Sequence, residues 1–324
     1  MQEIIKLDKK DKKLLYELDF DGRLPFSQLG KKIGLSKQGT EYKFNNLIKK
    51  GVIKSMYPVI NMPKLGYLYC RISITLQKVN KEKREEIIRY LSNHEKVFWL
   101  FKVYGLYDFF IVIWAKSLTE FKDFIEDIGE NIGDYIKLKK ENIATDVIHF
   151  QNRYLTKSIS YKEIHIKETQ ERFEIDSLDQ EILKILCKDA RISLIEISKK
   201  LKKSPKVIAY RIKNLEKKKI IEGYRPDIDY NKIGYIYYKI FINLNNASKK
   251  QKTLLKEYIK KNPLLIYIVE GIALHGDIDI EMMLESNQQL FDFIEDLRLK
   301  FPEIIGEYQT IVFAENLKTR YLPF

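Results

Sequence analysis

Ser204–Lys219 reads SPKVIAYRIKNLEKKK. A serine able to cap a helix stands before a proline at the first helical position, a pairing that marks a helix start. Ile208, Ile212 and Leu215 fall at i, i+4 and i+7 and form one apolar stripe. Lys206, Arg211, Lys213, Lys217, Lys218 and Lys219 lie mostly off it, against a single acid, Glu216. One face is built to pack and the other to meet negative charge. A second short amphipathic segment, Ser193–Leu201, ends a few residues upstream. Two helices across a tight joint, the second basic and exposed, is the sequence form of a helix-turn-helix. By itself the stretch would be only a lysine-faced surface helix.

It recurs. Displaced by 168 residues, LDKKDKKLLYEL from Leu7 lies on IDSLDQEILKIL from Ile175, and the register holds without a gap for about seventy positions. Asp8 falls on Asp176, Asp11 on Asp179, Ser36 on Ser204, Tyr42 on Tyr210, Pro58 on Pro226 and Gly66 on Gly234. The chain is a tandem duplication. In each copy an aspartate-capped helix (Leu14, Leu15 and Leu18 as its buried stripe in the first) precedes a helix near Ser27–Ile33 and a third from Ser36 to about Lys50. VIKSMYPVINMPKLG follows, two short apolar runs around Pro58 that read as a small hairpin or wing.

Beyond the wing the periodicity changes. Tyr67–Leu76, Lys96–Tyr104, Tyr107–Ala115 and Tyr135–Phe150 read as strands, and Asn80–Asn93 and Thr119–Glu130 as helices. The order is βαββαβ, a ferredoxin-like sandwich. The second copy repeats it over Tyr235–Asn245, Lys249–Lys261, Leu264–Ile272, Gly276–Glu285, Gln288–Lys300 and Glu307–Ala314. DFIEDI at Asp123 returns as DFIEDL at Asp292, with one residue inserted. The fold class expected is α+β: a winged helix-turn-helix followed by a ferredoxin-like sandwich, the pair repeated twice. The modules are 1–64, 65–155, 175–232 and 233–324, with 156–174 as a strand extension and linker.

Composition bounds the partners. The chain has 324 residues, 45% of them apolar, with 58 Lys plus Arg against 45 acids, a formal charge of +13. That excess favours a polyanion, nucleic acid before an anionic membrane surface. No run approaches the ~18–20 apolar residues of a membrane span. No signal peptide is visible, and Cys70 and Cys187 stand in no metal or redox spacing, each among apolar neighbours as a buried free thiol. A cytoplasmic protein without membrane association is expected. The histidines, His94, His149, His165 and His275, are scattered, and neither a phosphate loop nor a nucleophile elbow is present, so no catalytic residue, metal ligand or cofactor is expected.

The whole set (LDxxDxxLLxxL, a DGR or DAR step, a serine-headed basic helix, GVI or KII, a proline-containing wing and a lone glycine) resembles the Lrp/AsnC family of transcriptional regulators. The resemblance covers nearly all of both copies, and the chain departs from the family pattern in fusing two units. It implies a DNA-binding winged helix in each half, with Ser36–Lys50 and Ser204–Lys219 as recognition helices. Ser36, Lys37, Gln38, Glu41, Tyr42, Lys43 and Asn45 in the first, and Ser204, Lys206, Ala209, Tyr210, Arg211 and Lys213 in the second, are the residues placed to meet double-stranded DNA. The first helix carries a net +3 and the second +5, so the second head is expected to supply more of the phosphate-driven affinity.

The resemblance also implies a small effector, such as an amino acid, at a Gly-x-x-Asp turn: Gly105 and Asp108 in copy one, and in copy two Gly276 and Asp277 of Leu274-His275-Gly276-Asp277, which keeps the acid and loses the first glycine. Turn geometry explains the same residues without a ligand. The two sandwiches are expected to associate, giving a pseudo-dimer within one chain, with a homodimer or larger assembly open. Two alternatives share the architecture. One is a winged-helix module for protein or RNA. The other resembles the siroheme decarboxylases and would need polar, His or Arg side chains lining the sheet pocket. The matching strands, VFWLFKVYGLYDFFIVIW from Val97 and LLIYIVEGIALHGDIDIEMML from Leu264, read in copy one as apolar core.

Overall fold

Asp8 accepts the amide of Asp11 at 2.7 Å while the Asp11 carboxylate accepts the amide of Asp8 at 3.1 Å, a closed cap that starts α1 (Lys9–Leu18). The structure, a computed structural model, describes residues 4–324, so residues 1–3 of the first expected module lie outside the described residues. The helices α2 (Phe26–Ile33) and α3 (Lys37–Lys49) complete the first head, and β1 (Ile53–Ile60) leaves it. The first sandwich is β2 (Leu68–Leu76), α4 (Lys81–Asn93), β3 (Val97–Gly105), β4 (Phe109–Ala115), α5 (Leu118–Ile132) and β5 (Ile136–Phe150). After β6 (Glu163–Lys167) the second copy runs through α6 (Ser177–Lys188), α7 (Leu194–Leu201), α8 (Pro205–Lys217), β7 (Ile221–Ile228), β8 (Ile236–Leu244), α9 (Lys249–Lys260), β9 (Leu265–Ile272), β10 (Ile278–Leu284), α10 (Asn287–Lys300) and β11 (Ile305–Thr319).

The joint of each helix-turn-helix turns on one residue in the left-handed region, Gly34 (φ 69°) in the first head and Lys202 (φ 51°) in the second. These positions are 168 apart, so glycine and lysine solve the same turn. Gly51 (φ 67°) and Lys219 (φ 57°) form a second such pair just beyond the recognition helices.

The expected hairpin wing is corrected. β1 runs straight through Pro58 and pairs antiparallel with β7 of the other copy, with Pro58 opposite Tyr224 and Pro226 opposite Met56. A two-stranded ribbon has an outer side on both strands, where a proline's missing N–H breaks no ladder bond. Reciprocal bonds flank the ribbon: Gly22 N–H to Tyr224 O (3.0 Å) matches Ala190 N–H to Met56 O (2.9 Å), and Asn61 N–H to Ile220 O (2.9 Å) matches Asp229 N–H to Val52 O (2.9 Å). Every donor and acceptor maps onto its counterpart by the 168-residue shift, which is a two-fold interface realised within one chain. A single apolar cluster including Leu14, Leu18 and Leu47 of one head and Ile182, Leu186 and Leu215 of the other closes over it.

The sandwich sheets have strand orders β5–β2–β4–β3 and β11–β8–β10–β9. They join edge to edge through β3–β11 and β5–β9, so eight strands close on themselves and leave no free edge among them. This explains the length of β11, fifteen residues where a shorter Glu307–Ala314 was expected: it is paired on one side by β8 and on the other by β3. The expected linker also holds β6, which returns antiparallel along β5 instead of extending it.

The central strands β2 and β10 alternate between two buried faces. In β10, Ile278, Ile280, Met282 and Leu284 pack under α9 and α10, while Asp279, Glu281 and Met283 lie on the opposite face. In β2, Cys70, Ile72 and Ile74 pack under α4 and α5, leaving Tyr69, Arg71 and Ser73 inside. The inner faces of the two copies meet, with Phe110 and Val112 against Phe241 and Phe313.

Candidate nucleic-acid interface and interior cavity

Ser36 caps α3 by accepting the Gly39 amide at 3.0 Å, and Ser204 caps α8 by accepting the Val207 amide at 3.3 Å. The caps fix the outer face of each helix. On α3, Lys37, Gln38, Glu41, Tyr42 and Asn45 are exposed; on α8, Lys206, Tyr210 and Lys213 are exposed and Ala209 is half-buried. Tyr42 and Tyr210 stand 72% and 68% accessible, unusual for side chains of that size without a partner. The sequence reading missed Val207, which is 40% exposed at the start of α8 beside Lys206.

Lys43 and Arg211 sit differently from the free phosphate contacts expected of them. Lys43 Nζ lies 2.6 Å from Asp8 and 2.9 Å from Asp11; Arg211 lies 2.7 Å from Asp176 and 3.4 Å from Asp179. Each pair ties a recognition helix to the cap of its head's first helix. The bond from Lys43 and the Asp11 amide hold the Asp8 carboxyl below its ordinary range.

The turn residues also have work inside the fold. Gly105 (φ 117°) lies where a Cβ would stand 2.4 Å from the Thr310 carbonyl oxygen. Asp108 accepts the Leu76 amide at 2.8 Å and pairs with Arg84 at 2.6 Å; Asp277 accepts the Leu244 amide at 2.9 Å and pairs with Lys252 at 2.7 Å. Burial would raise the Asp277 carboxyl, but Lys252 and the Leu244 amide outweigh it and leave the group lowered. Gly276 has a different task from Gly105: its Cα faces the Ile242 backbone, where a Cβ would meet nitrogen at 2.6 Å.

Between the head ribbon and the sheets lies a cavity of about 250 Å³. β1 and β7 supply Tyr57, Pro58, Arg225 and Asp227; the sheets supply Tyr69, Trp99, Trp114, His149, Tyr237, Tyr267 and Glu281; the chain end supplies Tyr321. Arg225 donates to Asp19 at 2.6 and 3.0 Å, to Asn152 at 3.2 Å and to the Tyr267 hydroxyl at 3.1 Å. Burial, reinforced by Arg225, pushes His149 well below the usual histidine range, so it is neutral at physiological pH. Glu281 accepts the Tyr237 hydroxyl and Lys239 Nζ, the latter at 2.9 Å, and Lys239 and Arg71 reach Asp279 at 3.7 and 3.4 Å. Sequence reading took Val97–Trp114 as plain core. The signal it passed over was the alternation of Asp279 and Glu281 in an otherwise apolar strand.

Among the described residues no group of His, Cys, Asp and Glu could hold a metal ion, and no helix is long and apolar enough to cross a membrane. Cys70 and Cys187 are free thiols, Cys70 buried and Cys187 half-buried.

A family model described as winged helix-turn-helix DNA-binding matches residues 7–54 and 175–222. An HTH-type transcriptional regulator of Pyrococcus furiosus is 30% identical over 142 residues, 44% of this chain and 93% of that protein. The HTH-type transcriptional regulator LrpA of Pyrococcus horikoshii is 32% identical over 121 residues, 37% of this chain and 84% of LrpA. In fold, the crystal structure of the siroheme decarboxylase NirDL matches at a TM-score of 0.64 and 13% identity, covering 98% of this chain and 94% of that one.

Proposed function

Because the chain belongs to the Lrp/AsnC family of HTH-type transcriptional regulators, as a tandem duplication of its unit, we propose that it is a sequence-specific regulator reading double-stranded DNA with two unequal heads. The observation that carries this reading is the pair of capped helices held by reciprocal contacts, each turning an uncommitted polar and aromatic face to solvent. Gln38 and Asn45 can read adenine edges, Lys206 and Lys213 guanine or phosphate, and Val207 a thymine methyl. The heads differ in more than helix charge. At both left-handed turns the first head has glycine and the second lysine, Lys202 and Lys219. A lysine there costs roughly 1–2 kcal/mol of backbone strain, and strain retained at two exposed basic positions supports a role in phosphate contact.

DNA binding across salt, with genomic and random DNA as competitors, tests the reading. Binding that discriminates genomic from random competitor is expected. Neutralising Lys206 and Lys213 should flatten the slope of log K against log salt by roughly 2, while changes at Gln38 and Asn45 should alter sequence preference with little effect on slope. Weak binding without sequence discrimination, or equal slopes from both variants, would count against it.

The fold likeness to a siroheme decarboxylase keeps one enzyme reading in view, and the cavity contains the His and Arg that such a reading asks for. Its charge argues the other way. A siroheme-like substrate carries several carboxylates, whereas Lys54 and Arg225 at this cavity are balanced by Asp227 and Glu281, and Arg225 is bound to Asp19. The regulator reading therefore stands first, and a small effector belongs to it at the cavity ahead of the turns at Asp108 and Asp277, whose carboxylates are already paired.

A further inference from the structure

We propose that the cavity between the heads and the sheets binds a neutral, planar molecule of about two fused aromatic rings carrying a hydrogen-bond acceptor on one edge. Size comes first: a cavity of roughly 150 Å³ takes one benzene ring, and this one has about 250 Å³. Shape is next. Tyr69 stacks on Trp114 at 4.7 Å between ring centroids and meets Trp99 edge-on at 5.9 Å, and across the space Tyr57 stacks on Tyr321 at 4.8 Å. Flat aromatic walls favour a flat aromatic guest through offset and edge-on contacts. The polar requirement comes from Trp114, which is 6% exposed and whose Nε1–H is buried with no hydrogen-bond partner. An orphaned buried donor is costly and is met by an acceptor on the guest.

Neutrality follows from the side chains already engaged. Glu281 is satisfied by Tyr237 and Lys239, Arg225 by Asp19 and Lys54 by Asp229 at 3.2 Å, and His149 is neutral. Burial disfavours the charged form of Asp227, the remaining carboxylate of the lining, so the site is poor in free charge for an ionic guest. The mouth is polar: Lys54, Asn316 and Thr319 line the cavity and are exposed, which gives a route from solvent. The position has a consequence. One wall is the ribbon that fixes the two heads against each other and the other walls are the sheets, so a guest that favours one setting of the ribbon alters DNA affinity by its differential binding. Only this last step rests on the DNA-binding reading.

The two tryptophans of the chain both line the cavity, so its native emission reports occupancy. Quinoline, N-methylquinolinium and quinoline-3-carboxylate, titrated into the full chain at pH 7.5 by calorimetry and absorption-corrected tryptophan quenching, separate the alternatives. Quinoline should bind saturably with Kd below about 1 mM, and the cation and the carboxylate at least tenfold more weakly. Trp114→Phe should weaken quinoline at least threefold with an unchanged melting temperature; the analogue series decides the matter on the unaltered chain if that variant does not fold. Saturating quinoline should shift the DNA Kd at least threefold. Absence of saturable quinoline binding, equal binding of the charged analogues, or a bound tetrapyrrole spectrum with siroheme in quinoline's place would overturn the site. Quinoline binding with unchanged DNA affinity would overturn the coupling. Failure of the chain to bind DNA would sink the regulator reading while calorimetry still judged the cavity.

Discussion

Four charged side chains, Arg71, Lys239, Asp279 and Glu281, lie nearly or wholly buried between the two sheets, with Asp279 and Lys239 inaccessible to solvent. Such burial is tolerated only while each charge has its partner. Asp279→Ala leaves Arg71 without its carboxylate across the copy boundary and Lys239 with Glu281 alone, and should cost about 3–5 kcal/mol, measured by urea unfolding; a cost below 1 kcal/mol would mean that water or Glu281 replaces it. His275 stands beside this network, 3.0 Å from the Tyr107 hydroxyl and tilted against the Phe241 ring at 4.5 Å between centroids. Burial, with Arg71, Lys140 and Lys239 adding repulsion, lowers it to about 3. The folded chain therefore keeps His275 neutral while the unfolded chain protonates it near pH 6.5. The unfolded state binds the extra proton between those values, so stability falls as pH drops from about 6.5 toward 3. His275→Gln should flatten melting temperature against pH in that window, and an unchanged profile would show that the ring is solvated.

At the scale of elements, the turn pairs Gly34/Lys202 and Gly51/Lys219 make a controlled comparison within one chain. Lys202→Gly and Lys219→Gly each exchange backbone strain for chain entropy and should stabilise the second head by roughly 0.5–1 kcal/mol. Each should also weaken DNA binding and lower its salt slope by close to 1. Stabilisation without loss of DNA affinity would make these lysines incidental. The same elements show what the sequence discloses. Caps, stripes and the 168-residue register are local or repeated signals, and they specified both heads and both βαββαβ units. The ribbon was read as a hairpin because a strand's partner is not encoded in the strand: VIKSMYPVI has no turn within it, and only the other copy satisfies its backbone. Lys43 and Arg211 looked free for the same reason, since their aspartates lie 32 and 35 residues away in sequence. The cavity was hidden more deeply. Its walls come from both copies and the chain end, and aromatic residues lining a space look identical in sequence to aromatic residues filling one.

At the scale of the molecule, the inner faces explain why two units share a chain. Arg71 and Lys239 occupy equivalent positions, as do Phe110 and Asp279, and Val112 and Glu281 once the inserted residue is counted. Copy one thus offers a buried cation and no acid, and copy two offers a cation and two acids. Pairing unlike copies balances Arg71 of copy one against Asp279 of copy two, where Lys239 already has Glu281 of its own copy. Pairing two first copies would bury two arginines with no carboxylate, and pairing two second copies would bury four carboxylates against two lysines. Uncompensated buried charge of either sign costs several kcal/mol per ion, so the pairing preference is set by what the wrong pairs lose. Residues 1–167 and 168–324, produced separately, should sediment as monomers or ill-defined aggregates when alone, since each leaves sheet edges unpaired. Mixed at equal concentration, they should form a 1:1 species with the melting behaviour of the intact chain, less the stabilisation supplied by covalent linkage. Replacing Phe110 alone by Asp in the first half should then give each Arg71 one carboxylate and let that half pair with itself, and analytical ultracentrifugation would read the switch. A wild-type first half that forms a stable homodimer by itself would refute the charge argument, because nothing on its inner face could neutralise the two arginines.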